Sequence, residues 1–240
     1  MKAFHWTKQV IVWLGGREPL VLLSLFLLFA GTWIFIEIAD EVIEGESHAV
    51  DKMVVQAMRR TDDPATPIGP RWLQEAGRDV TALGGIACLV FFTLAVAGYL
   101  WLDRNHRLTW LLLASTISGW VLSMLLKRFF SRPRPDIVPH LSHVATSSFP
   151  SGHSMLSAVV YLTLGTFLAA VVPRPRLKVY VLAVAVAITV AVGVSRVYLG
   201  VHYPTDVLAG WAAGLVWALG CWLLARWLRR RGKVESQKTA

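Results

Sequence analysis

The sequence predicts an all-α polytopic membrane protein of six transmembrane helices, with two short interfacial helices between helices 1 and 2. Three observations carry that prediction. Of 240 residues, 55% are hydrophobic and the mean hydropathy is +0.53, more apolar surface than a water-soluble core of this size buries. The apolar residues gather into six runs, at 19–38, 82–102, 108–126, 154–172, 179–195 and 205–228, each near the roughly 20 residues that a helix needs to cross a bilayer. The tails and the links expected on one side of that topology are basic, whereas segment 39–81 is acidic, as the positive-inside rule expects.

The first run, 19–38, is long enough to span and no small-residue cleavage site follows it, so it reads as a retained helix and not as a signal peptide. Segment 39–81 carries nine Asp or Glu against five Lys or Arg and belongs outside. Within it Val50, Met53, Val54, Ala57 and Met58 recur at helical spacing, as do Trp72, Leu73, Ala76 and Val80. Two amphipathic helices at the outer interface are therefore expected. Runs 82–102 and 108–126 are joined by a link bearing Arg104 and Arg107, and runs 154–172 and 179–195 by one bearing Arg174, Arg176 and Lys178. Run 179–195 is the shortest and rich in Val and Ala; alone it would also suit a buried strand, and its setting favours a helix. The last run, 205–228, leads into a tail, 229–240, with Arg229, Arg230, Arg231, Lys233 and Lys238, expected to be disordered. These basic segments share one side with Lys2, Lys8 and Arg17, so the chain is expected in the cell (inner) membrane with both termini in the cytoplasm.

Composition excludes several classes. The net charge of +9 flanks apolar runs, so it signals topology and not a nucleic-acid partner. Cys88 and Cys221 each lie inside an apolar run, which argues against a disulfide framework. The chain is expected to form one membrane-embedded domain, 1–240, whose partners are membrane lipids and a lipid phosphate substrate.

Three polar stretches break the apolar pattern: 127–135, 150–153 and 195–206. The six-helix topology brings all three to the external face, where the positive-inside rule disfavours their cations. Ionisable residues at membrane depth are costly, so their clustering points to function. Lys127, Arg134 and Arg196 supply three cations to one pocket, a set suited to phosphate oxygens. Pro150-Ser151-Gly152-His153 opens a helix, whose free N–H groups favour an anion; Ser151 either caps that helix or donates to a phosphate oxygen. Pro204 suits a first helical position, which sets Asp206 in the first turn of the last helix, facing back toward His202. A carboxylate behind an imidazole fixes its tautomer and makes it a competent base or nucleophile.

Taken together, Lys127…Arg134-Pro135, Pro150-Ser151-Gly152-His153 and Ser195-Arg196…His202…Asp206 strongly resemble the three-part signature of the type-2 phosphatidic acid phosphatase superfamily. The motifs cover residues 127–206, and the six spans match the family's membrane-bound lipid phosphatases along most of the chain. The resemblance implies that His202 attacks phosphorus to form a phosphohistidine with Asp206 orienting it. It implies that His153 protonates the leaving oxygen and then activates water, while Lys127, Arg134, Ser151, Gly152 and Arg196 bind phosphate. No metal or other cofactor is expected, because three cations and helix N–H groups can carry the charge stabilisation that phosphoryl transfer needs. Candidate substrates are phosphatidic acid, phosphatidylglycerol phosphate, diacylglycerol pyrophosphate and undecaprenyl pyrophosphate. A lipid pyrophosphate-dependent phosphotransferase shares the same intermediate and stands as an alternative. Vanadium-dependent haloperoxidases resemble the same motifs but are soluble, and a transporter would set its charges nearer the midplane.

Overall fold

A computed structural model describes residues 19–141 and 147–230. The described chain is helical throughout, apart from turns, loops and an isolated antiparallel bridge between Arg59 and Pro67. The helices are α1 (Pro19–Glu44), α2 (His48–Ala57), α3 (Arg71–Ala82), α4 (Ile86–Leu102), α5 (His106–Phe130), α6 (Gly152–Ser157), α7 (Thr163–Val171), α8 (Pro175–Tyr198) and α9 (Pro204–Arg230). A π-helical turn, Ala158–Leu162, joins α6 to α7 into one continuous rod. Five helical segments are long and apolar enough to cross a membrane, and six if α3 and α4, bent by 50°, count as one span.

Most expected spans are present but longer than their apolar cores. A helix does not stop where its lipid-facing residues stop; it runs on until its backbone is broken or capped. Thus α5 continues past 126 to Phe130, ending where Ser131 turns left-handed at φ +45° and where Pro133 and Pro135 forbid further helix. The shortest predicted run, 179–195, widens to Pro175–Tyr198, opened by a proline in its first turn. Lys127 and Arg196, expected in the links that follow these helices, instead lie in their last turns. The second span is the exception, shorter than expected: Gly84 and Gly85 interrupt it, and α4 begins only at Ile86. Helix α9 starts at Pro204 as its sequence suggests and runs through Arg230; the remainder of the tail, 231–240, lies outside the described residues.

Both expected short helices form, but α2 is turned differently from its apolar pattern. Val50 and Met53 are exposed, whereas Asp51 and Val55 are fully buried and Arg59 nearly so. The apolar spacing leaves Asp51 and Arg59 off the apolar face, yet both turn inward. Asp51 is drawn in by Arg132 and Thr205 and Arg59 by the Tyr198 carbonyl, to which it donates at 2.8 Å, while Val54 and Val55 of the same helix and Met58 at its end pack in an apolar cluster.

Helix α9 is the axis of the assembly. It packs most extensively on α1 and also meets α6, the π-helical turn and α8. Gly214 makes its crossing with the α6 rod possible, since a Cβ there would lie 2.5 Å from Ala158 Cβ and 2.6 Å from the Met155 carbonyl oxygen. The ends of α5, α8, α9 and α6 that carry the polar motifs meet at one end of this bundle.

Candidate active site

The three motifs converge. Lys127, in the last turn of α5, donates from Nζ to the Ser147 carbonyl at 2.8 Å, and Ser147 Oγ donates back to the Lys127 carbonyl at 2.7 Å. Those two bonds tie the first motif to the strand of chain leading into the second. Gly152 opens α6 directly beneath the lysine: a Cβ there would stand 3.0 Å from Lys127 Cε. Ser151 caps α6, its side chain accepting from Ser154 N, and its own N–H donates to the Asp206 carbonyl at 2.9 Å. Of the two roles open to Ser151, the capping one is therefore filled.

His153 stands in the first turn of α6, against Gly84 at the α3–α4 bend, where an added Cβ would meet its ring at 3.2 Å. The charges of Arg196, Lys127 and Arg134 act on it, as does the His202 ring. Arg196, 2% exposed, reaches Thr81 of α3 with Nη1 to Oγ1 at 2.9 Å. The second short helix thereby supplies a hydroxyl to a signature arginine.

His202 is 1% exposed and held on both sides. On one, Arg134 Nη1 lies 3.1 Å from Nε2 and also donates to the Val201 carbonyl at 2.7 Å. A guanidinium only donates, so Nε2 is the ring's lone-pair nitrogen and Nδ1 carries the proton. On the other side, Asp206 Oδ2 stands 3.4 Å from Nδ1, with Ser148 Oγ at 3.3 Å from the same nitrogen. Burial pushes the His202 imidazole down to about 3; Asp206 opposes this, and the nearby cations Arg134 and Lys127 add to it. The ring is therefore neutral at neutral pH, with its lone pair aimed at the Arg134 guanidinium.

Asp206, 0% exposed, is clamped at both oxygens. Its Oδ2 accepts from Tyr203 N at 2.9 Å and from Ser148 Oγ, and its Oδ1 accepts from Arg132 Nη1 at 2.7 Å. Burial works against the charge on Arg132, but Asp206 and Asp51 outweigh it and hold the guanidinium above its ordinary value. All eight residues singled out in the sequence thus lie in one region, six of them linked by contacts or backbone bonds and His153 and Arg196 near enough for their charges to act on each other and on the rest.

Sequence reasoning missed four participants: Ser148, Arg132, Thr81 and Asp51. Ser148 and Arg132 stand within two residues of motif positions, and that proximity was the available signal. Asp51 and Thr81 come from the 39–81 segment, and nothing local marks them.

Residues 107–230 match the family model described as the PAP2 superfamily. Over 203 residues the chain is 33% identical to phosphatidylglycerophosphatase B of Bacillus subtilis, covering 83% of this chain and 90% of that one. It is 32% identical over 178 residues to a lipid A 1-phosphatase of Rhizobium etli, covering 62% and 71% respectively. The crystal structure of a transmembrane PAP2-type phosphatidylglycerolphosphate phosphatase from Bacillus subtilis superposes with a TM-score of 0.78 at 30% identity, covering 85% of this chain and 98% of that one.

Proposed function

The chain belongs to the PAP2 superfamily, and from that membership and the geometry above we propose that it is an integral membrane lipid phosphate phosphatase acting through a phosphohistidine on His202. Nε2 of His202 attacks phosphorus, forming the N–P bond as the P–O bond to the lipid breaks. His153, which takes up its proton together with the anionic phosphate bound beside it, gives that proton to the departing lipid oxygen. A water then attacks phosphorus, His153 takes one of its protons, and the N–P electrons return to His202, releasing phosphate. Lys127, Arg134, Arg196 and the N–H groups at Gly152 and the start of α6 balance the charge on the equatorial oxygens. No metal enters these steps.

One observation carries the reading: a buried, neutral imidazole with a carboxylate behind Nδ1 and an arginine in front of Nε2. A nucleophile needs a fixed tautomer and an unprotonated nitrogen turned toward the electrophile's site; here Arg134 holds that nitrogen until a phosphate oxygen takes over the guanidinium. The substrate class is a lipid phosphomonoester or pyrophosphate, such as phosphatidic acid, phosphatidylglycerol phosphate, diacylglycerol pyrophosphate or undecaprenyl pyrophosphate. Two apolar grooves suit its tails. One, of about 1150 Å³, runs between α3 and α8 along Ala76, Val80, Val190 and Ser195. The other, of about 370 Å³, runs between α4, α5 and the α6 rod along Leu89, Trp120 and Leu156.

In the bilayer we place six spans, the second made by α4 with α3 bent off it to the outer interface beside α2, the termini in the cytoplasm and the site at the external face of the cell membrane. The test is phosphate release by the detergent-solubilised chain from that panel of lipids, without added acceptor. Wild type releasing phosphate, with His153→Ala and His202→Ala each abolishing release, supports the reading. Release undiminished in His202→Ala overturns it.

A further inference from the structure

Two buried residues outside the signature, Arg132 and Asp51, are joined to the site by a network that a helix bundle does not need for cohesion. Arg132 is a fork between two aspartates. Nη1 donates to Asp206 Oδ1 at 2.7 Å and to Thr205 Oγ1 at 2.9 Å, while Nη2 donates to Asp51 Oδ2 at 2.8 Å and to Ser47 Oγ at 3.4 Å. Its guanidinium also lies 4.6 Å over the Tyr203 ring. Asp51 then closes the circuit. Its Oδ1 accepts from Thr205 N at 3.1 Å and its Oδ2 from Thr205 Oγ1 at 2.6 Å.

Thr205 N is one of the orphan donors in the first turn of α9, so Asp51 of α2 acts as that helix's cap from another part of the chain. Both carboxylates are 0% exposed and the guanidinium side chain is 3% exposed. Buried ion pairs seldom add net stability over apolar packing of the same volume, because desolvation offsets the attraction. Their best-attested use is to fix one arrangement. Here the arrangement fixed is the rotamer of Asp206: with Oδ1 held by Arg132, Oδ2 is left to Tyr203 N, Ser148 and His202 Nδ1.

Charge makes the second argument. A lone guanidinium against Asp206 would cancel much of the negative field that reaches His202. Asp51 offsets Arg132, so the trio keeps one net negative charge for the imidazole as it becomes a phosphorylated cation.

Resting on the phosphatase reading above, we propose that Arg132 and Asp51 are positioning residues for the reaction, acting through Asp206. Helix α2 is then part of the catalytic apparatus and not only a cover over the bundle. The bridge serves the chemical step and not phosphate binding, so its loss falls on kcat and spares KM.

The experiment measures phosphate release from phosphatidic acid and phosphatidylglycerol phosphate by the full chain in detergent. It compares wild type, His202→Ala, Asp51→Asn, Arg132→Lys and, as a control on the exposed part of the same segment, Asp62→Asn. Rates are counted per chain in the monodisperse gel-filtration peak, with thermal midpoints recorded for each. Asp51→Asn keeps an acceptor for Thr205 N but drops the charge; Arg132→Lys keeps the charge but cannot fork to both carboxylates. Both are expected to lower kcat about tenfold or more with KM within about threefold, and Asp62→Asn to match wild type. If wild type is active and His202→Ala is dead while both bridge variants keep kcat within about twofold, the bridge is overturned and the phosphatase reading stands. Unfolding of both variants, or an equal rise in KM, reduces the bridge to a structural or binding role and overturns it as well. If wild type itself releases no phosphate, the phosphatase reading fails and the bridge's role falls with it.

Discussion

Replacing Asp206 by Asn removes the charge behind His202 and leaves the site otherwise nearly filled. The size of the effect can be worked from the geometry. As Nε2 bonds to phosphorus the imidazole gains positive charge, and Asp206 Oδ2 lies 3.4 Å from Nδ1. At an effective dielectric of about 20, a full charge pair at that distance is worth about 5 kcal/mol. Arg132, 2.7 Å from the other carboxylate oxygen, cancels part of that. If about half survives, the loss is about 2–3 kcal/mol, or about 30- to 150-fold in rate. An asparagine also presents an amide donor, which favours the wrong tautomer and deepens the loss. The fold should hold, because Arg132 keeps Asp51, and the Asn oxygen still accepts from either Tyr203 N or Arg132 Nη1, whichever way the amide turns. The assay is phosphate release from phosphatidic acid over a range of surface concentrations, giving kcat and KM separately. A fall in kcat of about 30-fold or more at nearly constant KM is expected. A kcat within about threefold of wild type, in folded protein, would refute the argument that the carboxylate stabilises charge on His202.

Three further outcomes are expected. Gly214→Ala forces a methyl into a crossing where Met155 and Ala158 already stand within about 2.6 Å of its position; overpacking of that kind costs about 1–3 kcal/mol, read as a lower thermal midpoint, and an unchanged midpoint would contradict the crossing. Activity is expected to survive an excess of chelator, because the charge balance rests on Lys127, Arg134 and Arg196; a strict divalent-metal requirement in a dialysis and add-back assay would sink that assignment. Stability is expected to fall as pH drops from about 6.5 toward 3. His202 is neutral in the folded state down to about 3, whereas the unfolded ring takes a proton near 6.5, so across that window the unfolded state binds the extra proton. The contribution is up to about 1.4 kcal/mol per pH unit, and thermal unfolding of His202→Gln should show a correspondingly flatter pH dependence in that window.

Much of the site could be read from the sequence because its parts are local. Pro204 announces a helix start, and a start at Pro204 forces Asp206 into the first turn, facing His202. The spacing of Lys127 and Arg134 is likewise short enough to survive any uncertainty in where α5 ends. Helix ends were less legible, and Lys127 and Arg196 were placed just beyond helices that in fact include them. Apolar content marks the lipid-facing length, while the helix itself stops at a left-handed Ser131 or at Gly200, with φ of +73°.

Asp51 was unreadable for a different reason. In a chain with membrane-spanning helices an apolar face turns to lipid as readily as to protein, so the stripe Val50, Met53, Val54 does not say which side of α2 is buried. What decides it is a bond to Thr205, 154 residues away in the chain. Arg132 and Arg134 look alike in an Arg-Pro-Arg-Pro run, yet one faces Asp206 and the other His202 Nε2. Only the folded structure separates them.

The central claim is that His202 carries the phosphoryl group. It is tested most directly by rapid quenching of the solubilised chain with a radiolabelled lipid phosphate at alkaline pH, where phosphohistidine survives, followed by mapping of the labelled peptide. The account predicts transient, acid-labile label on His202, absent in His202→Ala and longer-lived in His153→Ala, where water activation is lost. Label on any other residue, or phosphate release from His202→Ala at the wild-type rate, would contradict it.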